Sequence, residues 1–247
     1  MIKVSAVSYL NTIPFIYGLK NSTIFNQIEL SLDYPSLCAD KLLKGQVDIG
    51  LVPVTVIPKL KDPYIISDYC IGSDGAVDTV CLFSDVPISE TESIALDYQS
   101  HTSVELMKIL LKEYWALNPE LKKAEIGFED SIKGKHAALV IGDRAFALND
   151  KHTYTYDLSA IWKQMTGLPF VFAAWVANKE LPPKFISEFN TALENGLSDI
   201  QKSIILEGSN YPNCENPKDY LNNKISYRLD TEKQKGMKLF LSKINSL

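Results

Sequence analysis

Short apolar runs alternate with helical stripes through the first ninety residues. Residues 2–9, 28–33 and 47–52 read as strands, and those around 14–19 and 36–44 as helices, a βαβαβ order. The strands are almost continuously apolar, the pattern of a parallel sheet covered on both faces by crossover helices. Strands at 64–71 and 77–84 follow, and Gly72-Ser73-Asp74-Gly75 between them predicts a hairpin. A polar connector at 85–93 precedes a second α/β series: a strand at 94–97, a helix at 102–115, strands at 124–128 and 137–141, and a helix at 158–166 ended by Gly167 and Pro169. In the first of these helices Val104, Met107, Leu110, Leu111 and Tyr114 form one stripe, and Thr102 with Glu105 fits a capping box. A strand at 171–177 returns toward the first unit. From Pro182 onward the chain reads helical, with a break between Gly208 and Pro217.

Two α/β units joined by two crossings, with a helical tail on the first, predict an α/β fold of the two-lobed type II periplasmic-binding-protein kind. Lobe 1 is then residues 1–85 and 175–247, lobe 2 residues 86–174, with hinges near 84–86 and 172–174. Ligands of such folds sit in the inter-lobe cleft, beside strand ends and helix N-termini.

Composition narrows the ligand. Against 30 acidic residues stand 25 basic ones, for a net charge of −5, with no dense basic stretch; nucleic acid is therefore not an expected partner. Arginine occurs only at Arg144 and Arg228, so binding an anion would lean on backbone amides as well as side chains. Cys38, Cys70, Cys81 and Cys214 form no CxxC pair and lie apart from the three histidines, so neither a zinc site nor a redox motif is signalled. No apolar run approaches the roughly 20 residues that span a bilayer. Met1 leads straight into the strand-like IKVSAVSY without export-signal features, so the expected location is the cytoplasm and no membrane partner is expected.

Five segments carry candidate chemistry. Ser8-Tyr9-Leu10-Asn11-Thr12-Ile13-Pro14 and Ser100-His101-Thr102-Ser103 sit at strand-to-helix junctions; each suits an ordinary helix cap, and each also offers hydroxyls, an amide or free first-turn N–H groups to a ligand. In 72–80, Val77, Thr79, Cys81 and Phe83 share one face by period two, which makes Thr79 either a strand filler or a hydroxyl in the cleft. Leu139-Val140-Ile141-Gly142-Asp143 ends a strand in a carboxylate that either enters the cleft or caps the next turn. The aromatics from Tyr156 to Trp175 read as core and hinge packing. No nucleophile elbow, phosphate loop, dinucleotide fingerprint or metal cluster is present.

Taken together, VSYLNTIPFIYGL (7–19), VDIGLVPV (47–54), GAVDTVCLFS (75–84), LDYQSHTSVELMKILL (96–111), ALVIGDRAF (138–146) and YDLSAIWKQMTGLPFVFAAWVA (156–177) resemble the MqnA family, the chorismate dehydratases of the futalosine route to menaquinone. The likeness runs in family order over most of residues 1–177; the tail adds little. It implies a cytoplasmic enzyme with no metal or organic cofactor, whose small-molecule substrate, chorismate, loses water to give 3-[(1-carboxyvinyl)oxy]benzoate. The family motif falls directly on Asn11, and its catalytic hydroxyl falls on Thr79, where serine is usual; the added methyl restricts the rotamer. His101 stands where arginine is common, which weakens a fixed cation there. The resemblance thus implies Asn11 and Thr79 as catalytic, with Ser8, Ser100, His101, Thr102, Ser103 and Asp143 as candidate substrate-binding residues. Two other readings stay open: a solute-binding protein that holds a small carboxylate without converting it, and the sister enzyme 1,4-dihydroxy-6-naphthoate synthase, which the SYLN and SHTS segments fit less well.

Overall fold

The structure is a computed structural model and describes residues 1–211 and 213–247. Its strands in chain order are β1 (Ile2–Val7), β2 (Ile28–Asp33), β3 (Ile49–Pro53), β4 (Tyr64–Ser73), β5 (Val80–Ser84), β6 (Ser93–Leu96), β7 (Glu120–Lys123), β8 (His136–Ile141), β9 (Tyr154–Asp157), β10 (Phe170–Ala177) and β11 (Ser226–Arg228). The helices are α1 (Ile13–Lys20), α2 (Pro35–Leu43), α3 (His101–Leu110), α4 (Leu158–Thr166), α5 (Pro183–Ser198), α6 (Ile200–Glu207), the short α7 (Pro217–Asp219) and α8 (Thr231–Ile244). One sheet has the order β11-β4-β10-β3-β1-β2, the other β7-β6-β8-β5-β9. In the first, β1 runs parallel to β2 and β3 while β10 is antiparallel to β3 and β4. In the second, β6 is parallel to β7 and β8, and β5 antiparallel to β8 and β9.

Local chemistry explains the well-read elements. Helix α4 covers the residues expected of it: the Asp157 carboxylate caps it by accepting from Ser159 and Ala160 N–H, and Gly167, at φ 73°, ends it in the left-handed region. Helices α1 and α5 touch backbone to backbone, since a Cβ on Gly196 would fall 1.9 Å from the Pro14 carbonyl oxygen. Phe15 joins this layer to the sheet, edge-on to Trp175 and Tyr227 at 6.0 and 5.2 Å.

Four expectations are corrected. The hairpin at 72–75 does not form: β4 and β5 lie in different sheets, because the chain turns out of the first sheet through Gly75 (φ 127°) and Asp78 (φ 63°). The crossings therefore lie at 74–79 and 167–169, so β5 departs from the expected 1–85 lobe and the first residues of β10 from the expected 86–174 lobe. The shared face of Val77, Thr79, Cys81 and Phe83 is also absent, since Val77 and Thr79 precede the strand. Cys81 and Phe83 pack into a small outer core with Phe128 and Val140, while Val80 and Leu82 face the main core. Finally, the strand expected at 124–128 is β7 at Glu120–Lys123, an exposed edge strand of charged residues and one leucine; its charges hide the strand signal, and Ala124 and Phe128 reach the outer core from the turn after it. In α3, Ser100 is the cap, accepting from Ser103 N–H, and the helix passes at Leu111 into a wider π turn.

No helix among the described residues is long and apolar enough to cross a membrane. The four cysteines are free thiols.

Candidate functional site

Between the sheets lies a cavity of about 520 Å³, part of it open to solvent, lined by Asn11, Thr79, Ser100, Thr102 and Ser103 and walled by Tyr9, Gly142 and Phe172. The chain delivers these groups from three directions. After β1, Tyr9 stays extended (φ −105°, ψ 160°) and Leu10–Thr12 forms a 3-10 turn leading into α1, with Pro14 in its first turn. Asn11 in this turn caps no helix. Its Oδ1 accepts from the Thr12 hydroxyl at 3.0 Å and its carbonyl from the Tyr227 hydroxyl at 3.0 Å, which leaves the Nδ2 protons for other partners.

Thr79 closes the first crossing, directly after the left-handed Asp78. It is 2% exposed, and its Oγ1 lies 2.8 Å from the Tyr220 hydroxyl, with the Val77 carbonyl a distant 3.4 Å. The third wall is the start of α3. Ser100 Oγ accepts from Ser103 N–H at 3.0 Å and donates to Ser103 Oγ at 2.9 Å. This uses one first-turn amide and leaves those of His101 and Thr102 without an intrahelical acceptor, at the positive end of the helix dipole. Thr102 itself donates to the Phe172 carbonyl at 3.2 Å, tying α3 to β10 in the other sheet.

Three candidates lie elsewhere. His101 does not line the cavity; its ring is exposed, and partial burial with Lys59 nearby holds it below the ordinary imidazole range, so it supplies no fixed cation. Ser8 and Asp143 line a separate surface pocket with Arg144, Asn210 and Tyr211, beyond the Tyr9 ring that walls both spaces. The Ser8 carbonyl there accepts from the Tyr211 hydroxyl at 3.3 Å.

Asp143 is neither a turn cap nor a cavity group. Its carboxylate accepts Leu10 N–H across the cleft at 3.1 and 3.2 Å, and burial, opposed only by that amide, pushes its pKa up to about 7. The adjacent Arg144 does not neutralise it, being committed to Asp97 at 2.5 Å and Glu129 at 2.6 Å. Beside it, Tyr9 donates to the Gln99 side-chain oxygen and lays its ring on Gly142. A Cβ there would fall 2.7 Å from the ring, and φ at Gly142 is 66°.

Tyr9 lies inside the 7–19 segment, where its hydroxylated and amide neighbours carry the stronger local signal. Asp157 stands in the segment that resembles the family without a role given to it, while Tyr220 and Tyr227 lie outside every such segment; Tyr220 is separated from Thr79 by 141 residues, a distance no local pattern spans. The aromatics at 162, 170 and 175 are buried core, as expected. No cluster of three or more His, Cys, Asp or Glu among the described residues is arranged to hold a metal ion; the cavity's polar groups are hydroxyls, one carboxamide and backbone amides.

The chain is 32% identical over 181 residues to a chorismate dehydratase of Thermus thermophilus, covering 65% of this chain and 66% of that protein, just under two thirds of its length. It is 25% identical to a chorismate dehydratase of Campylobacter jejuni over 98% of this chain and 96% of that one. In fold it is similar to a Candida albicans gene product with the generic periplasmic binding protein fold, at a TM-score of 0.68 and 11% identity, covering all of this chain and 90% of that one. The expected periplasmic-binding-protein-like α/β fold is thus the observed one. The family model described as menaquinone biosynthesis matches residues 2–246, and a match over nearly the whole sequence shows that the chain belongs to that family.

Proposed function

We propose that this protein is a chorismate dehydratase, a carbon–oxygen lyase working in the cytoplasm with no metal or organic cofactor. The observation that carries the reading is that Asn11, from the turn after β1, and Thr79, from the crossing before β5, line one cavity with the start of α3. The donors suit a substrate with two carboxylates and a departing hydroxyl. One carboxylate is held at the α3 N-terminus by the free His101 and Thr102 amides and the Ser103 hydroxyl. The ring lies between Phe172 and the Asn11 turn, with its C4 hydroxyl toward Thr79 and Asn11.

The elimination makes the ring aromatic, so the product is strongly favoured and the protein's task is to hold a reactive conformer and meet the charge on the leaving oxygen. The C3–H bond breaks and its proton passes to the substrate's own enolpyruvyl carboxylate. The electron pair forms the C3–C4 double bond, the C4–O bond breaks, and the departing hydroxide, met by hydrogen bonds from Thr79 and Asn11, takes up the proton held by the enolpyruvyl carboxyl to leave as water. The two lobes close over the substrate, with Tyr9 and Asp143 at the mouth.

The test is to incubate purified protein with chorismate and follow 3-[(1-carboxyvinyl)oxy]benzoate by chromatography and mass spectrometry against a no-enzyme control. Product is expected. Asn11→Ala is expected to lower kcat by about 10²- to 10³-fold, the usual cost of losing one aimed donor; near-normal turnover would remove Asn11 from the chemistry. Tight binding without product would instead favour a solute-binding protein.

A further inference from the structure

We propose that Tyr220, delivered by the C-terminal segment, is a positioning residue that aims the Thr79 hydroxyl proton into the cavity. The inference rests on the chorismate dehydratase reading and adds to it a residue that does not itself line the cavity.

Tyr220 is 3% exposed, at the start of the π turn that follows α7. Its ring stands edge-on to Phe146 at 5.0 Å, which fixes the plane of the phenol and therefore where its oxygen lies. That oxygen is 2.8 Å from Thr79 Oγ1. Burial pushes the phenol's pKa up, so Tyr220 stays protonated and has one proton to give.

These facts fix a direction. Among the described residues Thr79 Oγ1 is the one hydrogen-bond partner of the Tyr220 hydroxyl, so the buried phenol satisfies its proton by donating to Thr79. Thr79 then accepts from Tyr220 and keeps its proton free. Its competing acceptor, the Val77 carbonyl, lies at 3.4 Å, a long and weak alternative, and the remaining direction is the cavity. Without Tyr220 nothing in this network selects between the staggered rotamers of the Thr79 side chain.

The same segment acts twice. Seven residues on, the Tyr227 hydroxyl holds the Asn11 carbonyl at 3.0 Å, so the tail of the chain braces the backbone of one catalytic group and the side chain of the other.

The test is a kinetic cycle of Tyr220→Phe, Thr79→Val and the double variant on chorismate, with thermal midpoints measured alongside. Phenylalanine keeps the ring and removes one oxygen. The expected result is a fall in kcat of about 10- to 100-fold with KM changed less than about twofold, and no further loss when Tyr220→Phe is added to Thr79→Val, since residues acting through one group are not additive. Should Tyr220→Phe not be obtained folded, Tyr220→Met, which also lacks a hydroxyl, is read in the same way. Unchanged kcat in Tyr220→Phe, or losses that multiply in the double variant, would overturn the proposal while wild-type turnover stands. Failure of the wild-type protein itself to convert chorismate would overturn the dehydratase reading, and this proposal with it.

Discussion

Asp157 and Asp143 are both carboxylates drawn out of water where the two sheets meet, one at a crossing and the other at the mouth of the cleft. Asp157 is surrounded by donors. One oxygen accepts Val77 and Asp78 N–H at 2.8 and 2.7 Å, and the other accepts Ser159 and Ala160 N–H at 3.0 Å each. It therefore ties the first crossing to the start of α4, and the buried Ser73–Ser159 hydroxyl pair reinforces the joint at 2.5 Å. Asp143 has one amide, Leu10 N–H, and no cation paired with it among the described residues. Burial raises the pKa of both, but at Asp157 the amides of Ala160, Asp78 and Val77 work against it, whereas at Asp143 the rise reaches about 7. The crossing is thus built as a permanent joint, and the mouth as a contact that releases at small cost.

The largest effect is expected at the joint. Asp157→Ala leaves four amide donors without their acceptor and exposes the left-handed turn at Asp78 to rearrangement. At about 1 to 3 kcal/mol for each buried group left unpaired, the loss is several kcal/mol even if water replaces some of the bonds. For a chain of this size that corresponds to a fall in thermal midpoint on the order of 10 °C, measurable by calorimetry. A shift of only a degree or two would show that the joint does not depend on this carboxylate, and the contrast with Asp143 would collapse.

The joint was also the least legible part of the sequence. Its residues, Asp157, Val77 and Asp78, are far apart in the chain, and the glycines at 72 and 75 point to a hairpin because a hairpin and a departure into another sheet use the same turn chemistry. What decides between them is which sheet the following strand pairs with, a long-range fact. By contrast α4, the parallel β1 and β3, and the Ser100–Ser103 junction are written in local terms: a cap, a stop, an apolar run. The site divides in the same way. Asn11, Thr79 and the α3 start are local motifs and lie together in the cavity; Tyr220 and Tyr227 reach it from the tail by tertiary packing alone. His101 and Ser8 share those motifs, but the backbone turns them outward.

A second, smaller effect is expected at the mouth from Gly142→Ala. The added Cβ would stand 2.7 Å from the Tyr9 ring in a backbone with φ 66°, so Tyr9 is pushed off its seat and the residue is strained by about 1 to 3 kcal/mol. The expected outcome is a fall in kcat/KM of roughly tenfold, since small displacements of positioning groups carry large rate costs, with a thermal midpoint lower by a few degrees. Tyr9→Phe keeps the ring on the glycine and loses only the bond to Gln99, so it is expected to cost less. If the two variants were equal, the ring's seat on Gly142 would not be what holds the mouth.

The smallest effect concerns pH and bears directly on the contrast between the carboxylates. In the closed arrangement Asp143 has its pKa raised from 3.8 to about 7 by burial; when the mouth opens the carboxyl meets water and returns toward its ordinary value. A group whose pKa is higher in one state favours that state when protonated. The closed form is thus favoured fully below about pH 4, and this contribution is lost progressively as the pH rises through about 7. The neighbours that face Asp143 do not reverse the sign: Tyr9 and Tyr211 are phenols whose own pKa values are raised, the Cys214 thiol is likewise raised, and Arg144 stays charged and paired with Asp97 and Glu129. Small-angle scattering of the unliganded protein is therefore expected to show a larger radius of gyration at about pH 8.5 than at about pH 5. Asn in place of Asp143 carries no titrating proton, so Asp143→Asn is expected to hold one radius across that range. A wild-type radius flat with pH, or one that shrinks as pH rises, would mean that the mouth does not open by hydrating Asp143, and that this carboxylate serves as a fixed tie of the same kind as Asp157.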